Sequence, residues 1–144
     1  MIIRDATDTD LPAIVSIYND SISGGKATAD LVPVTVKERW AWFQEFDPDR
    51  RPCWVAEDEG KVVACVYLRS FYAGRPAYNK TAEISTYICP SHQGQGLGTR
   101  LKKKMITECP RLGVENLLSF YFDHNEASRR VNEKFDCLRR CLGW

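Results

Sequence analysis

The residues best suited to bind a ligand are three glycines at alternate positions, Gly94, Gly96 and Gly98. They follow a predicted strand that stops at Pro90, and they precede a segment with the apolar spacing of a helix. The first turn of a helix leaves about four backbone N–H groups without partners, and the helix dipole adds partial positive charge there. Because glycine has no Cβ, a phosphate can approach such a backbone closely. The pattern predicts a phosphate-binding turn, and a tight turn without a ligand is the alternative.

Two common nucleotide-binding patterns fit this stretch poorly. A Walker A loop ends in Gly-Lys-Ser/Thr, whereas this chain has Gly98-Thr99-Arg100. A dinucleotide-binding fold places GxGxxG after the first strand of a βαβ unit. Here the pattern is GxGxG, and it follows the fourth predicted strand. Both nucleotide classes are therefore disfavoured.

The elements that must position these glycines can be predicted from hydrophobic spacing and turn residues. Strands are predicted at residues 2–4, 53–57, 62–68, 81–89 and 114–122, and helices at 11–19, 97–108 and 125–134, with a further helix that Thr35 caps and that ends before Pro48. The strand at 114–122 is apolar at nearly every residue, so we expect it to lie at the centre of the sheet. The order of elements predicts one domain over residues 1–144, an α/β (α+β) fold with a mixed sheet and helices on both faces.

Composition excludes several classes of function. With 20 Lys and Arg against 19 Asp and Glu, the net charge of +1 offers no field for nucleic acid or an anionic membrane. The N-terminal residues have no apolar stretch typical of a signal peptide, and no apolar run approaches the roughly 20 residues that span a bilayer. The six cysteines are widely spaced without a CxxC motif or a Cys/His cluster. We therefore expect free thiols, a cytoplasmic location and no metal.

The glycine stretch, Gln93-Gly94-Gln95-Gly96-Leu97-Gly98, resembles the phosphate-binding motif Gln/Arg-x-x-Gly-x-Gly/Ala of the GNAT acetyltransferases. The resemblance implies acetyl-CoA as the cosubstrate and a mostly antiparallel central sheet. The pyrophosphate of acetyl-CoA would lie on the amides between Gly94 and Thr99, and its pantetheine arm would lie along the strand that ends at Ile88. Asn125 and Ser128 match an Asn-x-x-Ser that contacts this arm in the superfamily, although Asn125 is also a good helix N-cap. The implied cofactor-binding residues are Thr86, Tyr87, Ile88, Gln93, Gly94, Gln95, Gly96, Leu97, Gly98, Thr99, Asn125 and Ser128.

A closer resemblance, to the phosphinothricin N-acetyltransferase family, extends over almost the whole chain. It is carried by Ile17-Tyr18-Asn19-Asp20, Val34-Thr35-Val36-Lys37-Glu38-Arg39 with Trp42-Phe43, Arg75-Pro76-Ala77-Tyr78, Glu83-Ile84-Ser85-Thr86-Tyr87, Asn125-Glu126-Ala127-Ser128 and Glu133-Lys134-Phe135. Members acetylate the α-amine of glutamate-like amino acids such as phosphinothricin and methionine sulfoximine, and they are typically homodimers. The resemblance therefore implies a small-molecule amine as the acceptor.

Acyl transfer to an amine needs a base, a donor for the oxyanion and an acid for the leaving thiolate. Glu83 matches the family's catalytic glutamate and is expected to act as the general base, directly or through water; the alternative is a solvated strand residue. A backbone N–H near Tyr87 or Ile88 is expected to bind the oxyanion where the strand splays. Arg75 and Tyr78 belong to the loop that would face the substrate, where Arg75 could pair with a carboxylate. An exposed arginine and a core tyrosine are the alternative. The basic tetrad Arg100, Lys102, Lys103 and Lys104 is interpreted as a solvated helix face, and contact with the 3′-phosphate of CoA is the alternative.

The resemblance has several departures, most of them near the C-terminus. Asn132 replaces a family histidine at a catalytic position, and an amide cannot titrate near neutral pH. Asp136 replaces a glycine, and Ala29 replaces an aromatic residue. Family members continue for about twenty residues into two further strands, so we expect the fold to lack those strands and the sheet edge to be covered by a partner subunit, or the sequence to be truncated. An acyl-CoA-binding sensor or scaffold with weakened catalysis is the alternative function, and acetylation of protein lysines is a third.

Overall fold

The computed structural model describes residues 1–24, 28, 30–122 and 124–135. In this part of the chain five strands and four α-helices follow one another, with short 3₁₀ turns between some of them. They are β1 (Ile2–Asp5), α1 (Leu11–Ser23), α2 (Val36–Gln44), β2 (Cys53–Asp58), β3 (Lys61–Ser70), β4 (Thr81–Ile88), α3 (Leu97–Glu108), β5 (Asn116–Leu118) and α4 (Glu126–Glu133). Within the described ranges, no helix has the length and apolar character needed to cross a membrane.

The sheet is mixed and mostly antiparallel. Its strand order is β1-β2-β3-β4-β5, and each neighbouring pair up to β4 is antiparallel. The last pair, β4 and β5, is parallel because α3 carries the chain back across the sheet between them. The predicted fold class is confirmed, as are the predicted hairpin and the helix that follows the glycine stretch.

The sheet alternates its side chains between two cores, which explains why β3 is apolar at almost every residue. On one face, Ala64, Val66 and Leu68 pack with Leu101 and Met105 of α3. On the other face, β3 contributes Cys65 and Tyr67, which pack with α1 and α2 through Leu11, Ile14, Val15 and Phe43. Because successive residues of a strand point to opposite faces, these two sets also define which side of β4 each residue reaches.

The predicted strand at 114–122 was wrong in its length and its position. β5 contains only Asn116–Leu118, and it lies at the edge of the described sheet. Val114 is buried before the strand begins, but Phe120 and Phe122 beyond it are 61% and 41% exposed. An apolar run in the sequence therefore reflected one short paired segment followed by exposed aromatic residues, and not burial on both faces.

An ion-pair network joins the first strand to the hairpin and to the start of α1. The carboxylate of buried Asp10 accepts hydrogen bonds from Arg4 Nη1 (2.7 Å) and Nη2 (3.0 Å) and from the Thr7 amide (2.8 Å). Arg4 also donates to Glu57 Oε2 at 2.9 Å, on the strand next to it. The hydrogen bonds from Arg4 lower the pKa of Asp10 below its ordinary value.

The substitution Asp10→Asn should lower the free energy of unfolding by about 2–3 kcal/mol at neutral pH, because it removes hydrogen bonds between charged groups. A depressed pKa means that the contribution of Asp10 is present above the ordinary aspartate pKa and is lost as pH falls through the lower folded value. Urea denaturation from pH 7 to pH 2 measures both effects. The control Asp49→Asn, at a side chain that is 92% exposed, should change stability little; equal losses in both variants would contradict the assignment.

Candidate functional site

Two glycines of the predicted turn are required by backbone conformation. Gly94 and Gly96 have φ angles of +73° and +79°, in the left-handed region that side chains disfavour. A Cβ on either residue would meet no atom within 4 Å, so the space beside them is open. Gly98 differs, because its φ angle is not positive and a Cβ there would make ordinary van der Waals contacts, 3.4 Å from Ile88 Cδ1 and 3.9 Å from Val131 Cγ2. The turn therefore combines two conformational glycines with one that faces the packed side of β4.

The start of α3 presents unpaired amides beside this open space. Gly96 is the N-cap, no side chain caps the helix, and the first helical bond runs from the Arg100 amide to the Gly96 carbonyl at 3.1 Å. The amides of Leu97, Gly98 and Thr99 precede this bond and therefore have no partner within the helix. The positive end of the helix dipole lies at the same point. These groups can bind an anion.

Beside the turn, one edge of β4 has no neighbouring strand among the described residues. Pairing with β5 covers only Thr81, Ala82 and Glu83 of β4, which are in register with Asn116–Leu118. On the other side, the Cys89 amide donates to the Val63 carbonyl at 2.9 Å, and β3–β4 pairing runs without a bulge from Ala64·Ile88 to Ser70·Ala82. Since antiparallel residues alternate in the direction of their backbone groups, Tyr87 points its N–H towards β3. Thr86 and Ile88 point theirs into the gap that β5 leaves.

This direction refines the prediction for the oxyanion donor, which named Tyr87 and Ile88 together. Of these two backbone N–H groups, only that of Ile88 points into the gap. The Ile88 carbonyl accepts a hydrogen bond from Gln93 Nε2 at 2.9 Å. Gln93, predicted to bind phosphate, thus uses a side-chain donor to hold the turn against the end of β4. Gln95 does the same at the other side of the turn, since its Nε2 lies 3.2 Å from the Ser91 carbonyl.

A thiol, an imidazole and a carboxylate anchor the residues just before the glycines. Cys89 Sγ lies 3.3 Å from His92 Nδ1, and His92 Nε2 lies 3.1 Å from Asp58 Oδ2 at the end of β2. Ser91 Oγ also contacts His92 Nδ1, at 2.9 Å. These contacts tie the turn to the β2–β3 hairpin. The sequence analysis missed the contact between His92 and Asp58 because it joins residues 34 positions apart.

Glu83 lies on the sheet face that carries α1 and α2. It is half-buried, and in register it is opposite Arg69 of β3. Desolvation raises the pKa of Glu83, and the charge of Arg69 opposes that rise. A carboxylate with a raised pKa is a stronger base than an ordinary one, which suits a group that must accept a proton near neutral pH.

On the same face, an aromatic cleft lies between α1, α2 and the strands. Tyr87 packs edge-on against Tyr18, with ring centroids 5.1 Å apart, and stacks on Tyr67, with ring centroids 6.2 Å apart. The guanidinium of Arg39 lies over the Tyr18 ring at 4.8 Å and over Trp42 at 5.1 Å. Burial raises the pKa of Tyr87 to about 12. The sequence analysis named Trp42 only among the residues that carry the family resemblance and missed this cleft, although the aromatic residues of the two helical segments were a signal for it.

The structure places the predicted substrate residues on the loop between β3 and β4. Arg75 begins a short 3₁₀ turn (Pro76–Tyr78), and its guanidinium lies over the Tyr72 ring at 5.7 Å. Tyr78 is 38% exposed and packs against Phe71 with ring centroids 5.5 Å apart. The alternative of a core tyrosine is therefore wrong for Tyr78. The loop is an exposed aromatic patch.

The predicted residues of the C-terminal helix lie against α3. Asn125 caps α4, accepting from the Ser128 amide at 3.1 Å, so the predicted N-cap is confirmed.

Asn132, predicted at a catalytic position, is 5% exposed; its amide donates to the Ser128 carbonyl at 2.8 Å and its oxygen accepts from Lys102. Lys102 is itself buried on α3, which corrects its assignment to a solvated helix face. Since α3 packs on the sheet face opposite Glu83, the structure does not bring Asn132 and Glu83 together.

Some expectations fall outside the described residues. These are the substitutions at Ala29 and Asp136 and the segment that follows residue 135. Among the described residues, no group of three or more His, Cys, Asp or Glu side chains could hold a metal ion.

Comparison with known proteins decides the family. The family model described as "Acetyltransferase (GNAT) family" matches residues 12–136. The chain belongs to that family. It is 44% identical over 135 residues to "Putative phosphinothricin acetyltransferase YwnH" of Bacillus subtilis, an alignment that covers 93% of this chain and 82% of YwnH.

Two further relatives add an activity and a bound ligand. An L-methionine sulfoximine/L-methionine sulfone acetyltransferase of Salmonella typhimurium is 32% identical over 135 residues, covering 92% of this chain and 77% of the relative. A crystal structure of a phosphinothricin acetyltransferase from Sinorhizobium meliloti in complex with acetyl-CoA has a TM-score of 0.85. That protein is 28% identical, and the match covers 93% of this chain and 72% of the other. The predicted family is confirmed, and this chain is an N-acetyltransferase of the acetyl-CoA-dependent class.

The thiols of the described residues should differ sharply in reactivity. Burial raises the pKa of the Cys65 thiol to about 12 and also raises those of Cys53 and Cys109, whereas Cys89 is only half-buried. In the folded protein, iodoacetamide should therefore label Cys89 at least about tenfold faster than these three. Peptide mass spectrometry over a time course measures the rates. Labelling of Cys65 as fast as Cys89 in native buffer would contradict the described packing.

Proposed function

We propose that this protein transfers the acetyl group of acetyl-CoA to the amine of a small amino-acid-like substrate of the phosphinothricin or methionine sulfoximine type. One observation carries the proposal: the half of β4 that β5 does not pair with lies between the uncapped glycine turn and the half-buried Glu83. The names of the relatives at 44% and 32% identity support the substrate class. They do not favour the alternative of an acyl-CoA-binding protein without catalysis.

The residues present fit acetyl-CoA. We propose that the amides from Gly94 to Thr99 bind its pyrophosphate. Those of Leu97 to Thr99 have no partner within the helix, the space beside Gly94 and Gly96 is open, and the turn lies at the positive end of α3. Thr86 and Ile88 offer backbone groups along the gap for the amides of the pantetheine arm. Asn125 and Ser128, at the start of α4, are proposed to border the same arm. When bound, acetyl-CoA supplies the activated acyl group as a thioester.

The acceptor chemistry is proposed to lie on the Glu83 face of the sheet. Glu83 takes the proton that the ammonium must lose before its nitrogen can attack the thioester carbonyl. The Ile88 N–H, directed into the gap, stabilises the charge that develops on the carbonyl oxygen. A C–N bond forms and the C–S bond breaks. The second proton, which the attacking nitrogen loses, passes to the departing CoA thiolate directly or through water, and the proton on Glu83 returns to solvent. Arg75 and Tyr78 are proposed to border the acceptor from the β3–β4 loop.

We further propose a cytoplasmic homodimer. The family resemblance suggests the dimer, and the exposed rings of Phe120, Phe122 and Tyr72 offer apolar surface for it. The cysteines of the described residues are free, which is consistent with a reducing compartment.

The substitution Glu83→Gln should reduce turnover by about 10²-fold or more, since it removes the base and keeps the shape. The affinity for CoA, measured by calorimetry, should stay nearly unchanged. Because the pKa of Glu83 is raised, wild-type kcat/KM should fall on acidification already above the ordinary glutamate pKa, and this limb should vanish in the variant. Glu115→Gln, at an exposed carboxylate, is the control. Unaltered turnover in Glu83→Gln would remove Glu83 from the mechanism.

Gly96→Ala and Gly113→Ala form a matched pair for the phosphate site. Both glycines have positive φ angles, +79° and +70°, and open space where a Cβ would lie. Each substitution should cost about 1–2 kcal/mol of stability, from the left-handed backbone alone. Only Gly96→Ala should also weaken CoA binding, by roughly tenfold, because it displaces the N-cap of α3. Calorimetry with CoA makes the comparison; equal CoA affinities in the two variants would argue against binding at the turn.

A further inference from the structure

Two opposite charges face each other across β3 and β4 without pairing. Arg69 and Glu83 are directly opposite in register, on the sheet face of the aromatic cleft. The charge of Arg69 lowers the pKa of Glu83, but no hydrogen bond or ion pair joins the two side chains. Adjacent Arg and Glu side chains on neighbouring strands commonly pair directly. Their separation leaves both groups available to a third.

Arg69 has one donor committed and one left over. Its Nη2 donates to Glu45 Oε2 at 2.7 Å, just after α2, and its guanidinium lies 5.9 Å from the Phe46 ring centroid. Its Nη1 is buried and has no hydrogen-bond partner among the described residues. A buried donor without an acceptor is costly, and a carboxylate is the acceptor that best matches the planar guanidinium. Phe46 and Glu45 hold the fork in place for such a ligand.

Glu83 is an acidic group that burial has partly removed from water. Its carboxylate is half-buried and desolvated, and among the described residues only the charge of Arg69 acts on it. An ammonium group placed beside the Glu83 carboxylate would replace the interaction with water that the carboxylate loses on burial. The Cα atoms of Arg69 and Glu83 belong to a hydrogen-bonded antiparallel pair and lie about 5.5 Å apart, so the two side chains leave the same sheet face side by side.

We propose that Arg69 and Glu83 together recognise the zwitterionic head of a free α-amino acid, with its carboxylate on Arg69 and its ammonium at Glu83. A free α-amino acid carries both charges on one carbon, so one molecule can satisfy both groups. A protein lysine or a peptide N-terminus has no carboxylate at that distance, and it would leave Arg69 unsatisfied. This inference rests on the proposed function and assigns to Arg69 the preference for an acceptor that carries an α-carboxylate. It also moves carboxylate recognition from Arg75, on the exposed loop, to Arg69 on the strand opposite the base.

The test compares two acceptors that differ only in the carboxylate: methionine sulfoximine and its decarboxylated amine. In Arg69→Met, KM for the amino acid should rise roughly 10- to 100-fold with kcat little changed, and kcat/KM for the amine should stay within about threefold of wild type. Arg69→Lys, which keeps the charge without the fork, should recover part of the loss. Arg111→Met, at an exposed arginine paired with Glu108, should change neither acceptor.

Equal losses for the two acceptors in Arg69→Met would overturn the proposal, because they indicate a general structural defect. So would a wild-type enzyme that uses the decarboxylated amine as well as the amino acid. If the wild type acetylates neither acceptor, the proposed function fails, and calorimetry of amino-acid binding still decides the inference. Binding that is lost in Arg69→Met supports it, and binding that is unchanged refutes it. If Arg69→Met does not fold, Arg69→Lys replaces it in the test. We expect Arg69→Lys to raise KM for the amino acid by a smaller factor and to leave kcat/KM for the amine nearly unchanged.

Discussion

The arrangement of this site depends on where the pairing of β4 and β5 stops. The two parallel strands are joined only as far as Glu83 and Leu118, while β4 continues to Ile88. Among the described residues, the remaining backbone groups of β4 on that side have no strand partner, and the uncapped end of α3 begins just beyond them. Unpaired backbone groups are costly when buried, so such a gap is suited to an extended, amide-bearing ligand with an anionic end. The glycine turn and the gap are therefore two parts of one binding surface.

The sheet also separates two kinds of chemistry. Its α3 face is apolar, and there Gly98 near the start of α3 lies beside the Ile88 side chain, so the helix begins next to the gap. Its α1 and α2 face carries Glu83, Arg69 and the ring of Tyr87, all at least partly removed from water. Desolvation acts on the carboxylate there and raises its pKa, while Arg69 moderates the rise. A ligand lying in the gap would reach both faces, which brings an acyl donor from one side to an acceptor on the other.

The sequence predicted those parts of the site that local chemistry determines. Gly94 and Gly96 were identifiable because their positive φ angles admit few other residues, and Asn125 because a helix start favours its side chain. Contacts between distant residues were not predictable: the register that places Arg69 opposite Glu83, the burial of Lys102 against Asn132, and the tie from His92 to Asp58. The error at β5 has the same origin, since an apolar run does not show how many neighbours a strand has. Resemblance to a family supplied the role of Glu83, which spacing alone leaves open.

The most direct test of this account is an NMR titration of the ¹⁵N-labelled protein with acetyl-CoA, following individual backbone amides. The account predicts that the largest shifts occur at the amides from Gly94 to Thr99 and at Thr86 and Ile88, whose N–H groups face the gap. The amides of Ser85 and Tyr87, bonded towards β3, should shift much less. Shifts that leave the glycine turn unaffected, or that fall equally on all four β4 amides, would contradict it.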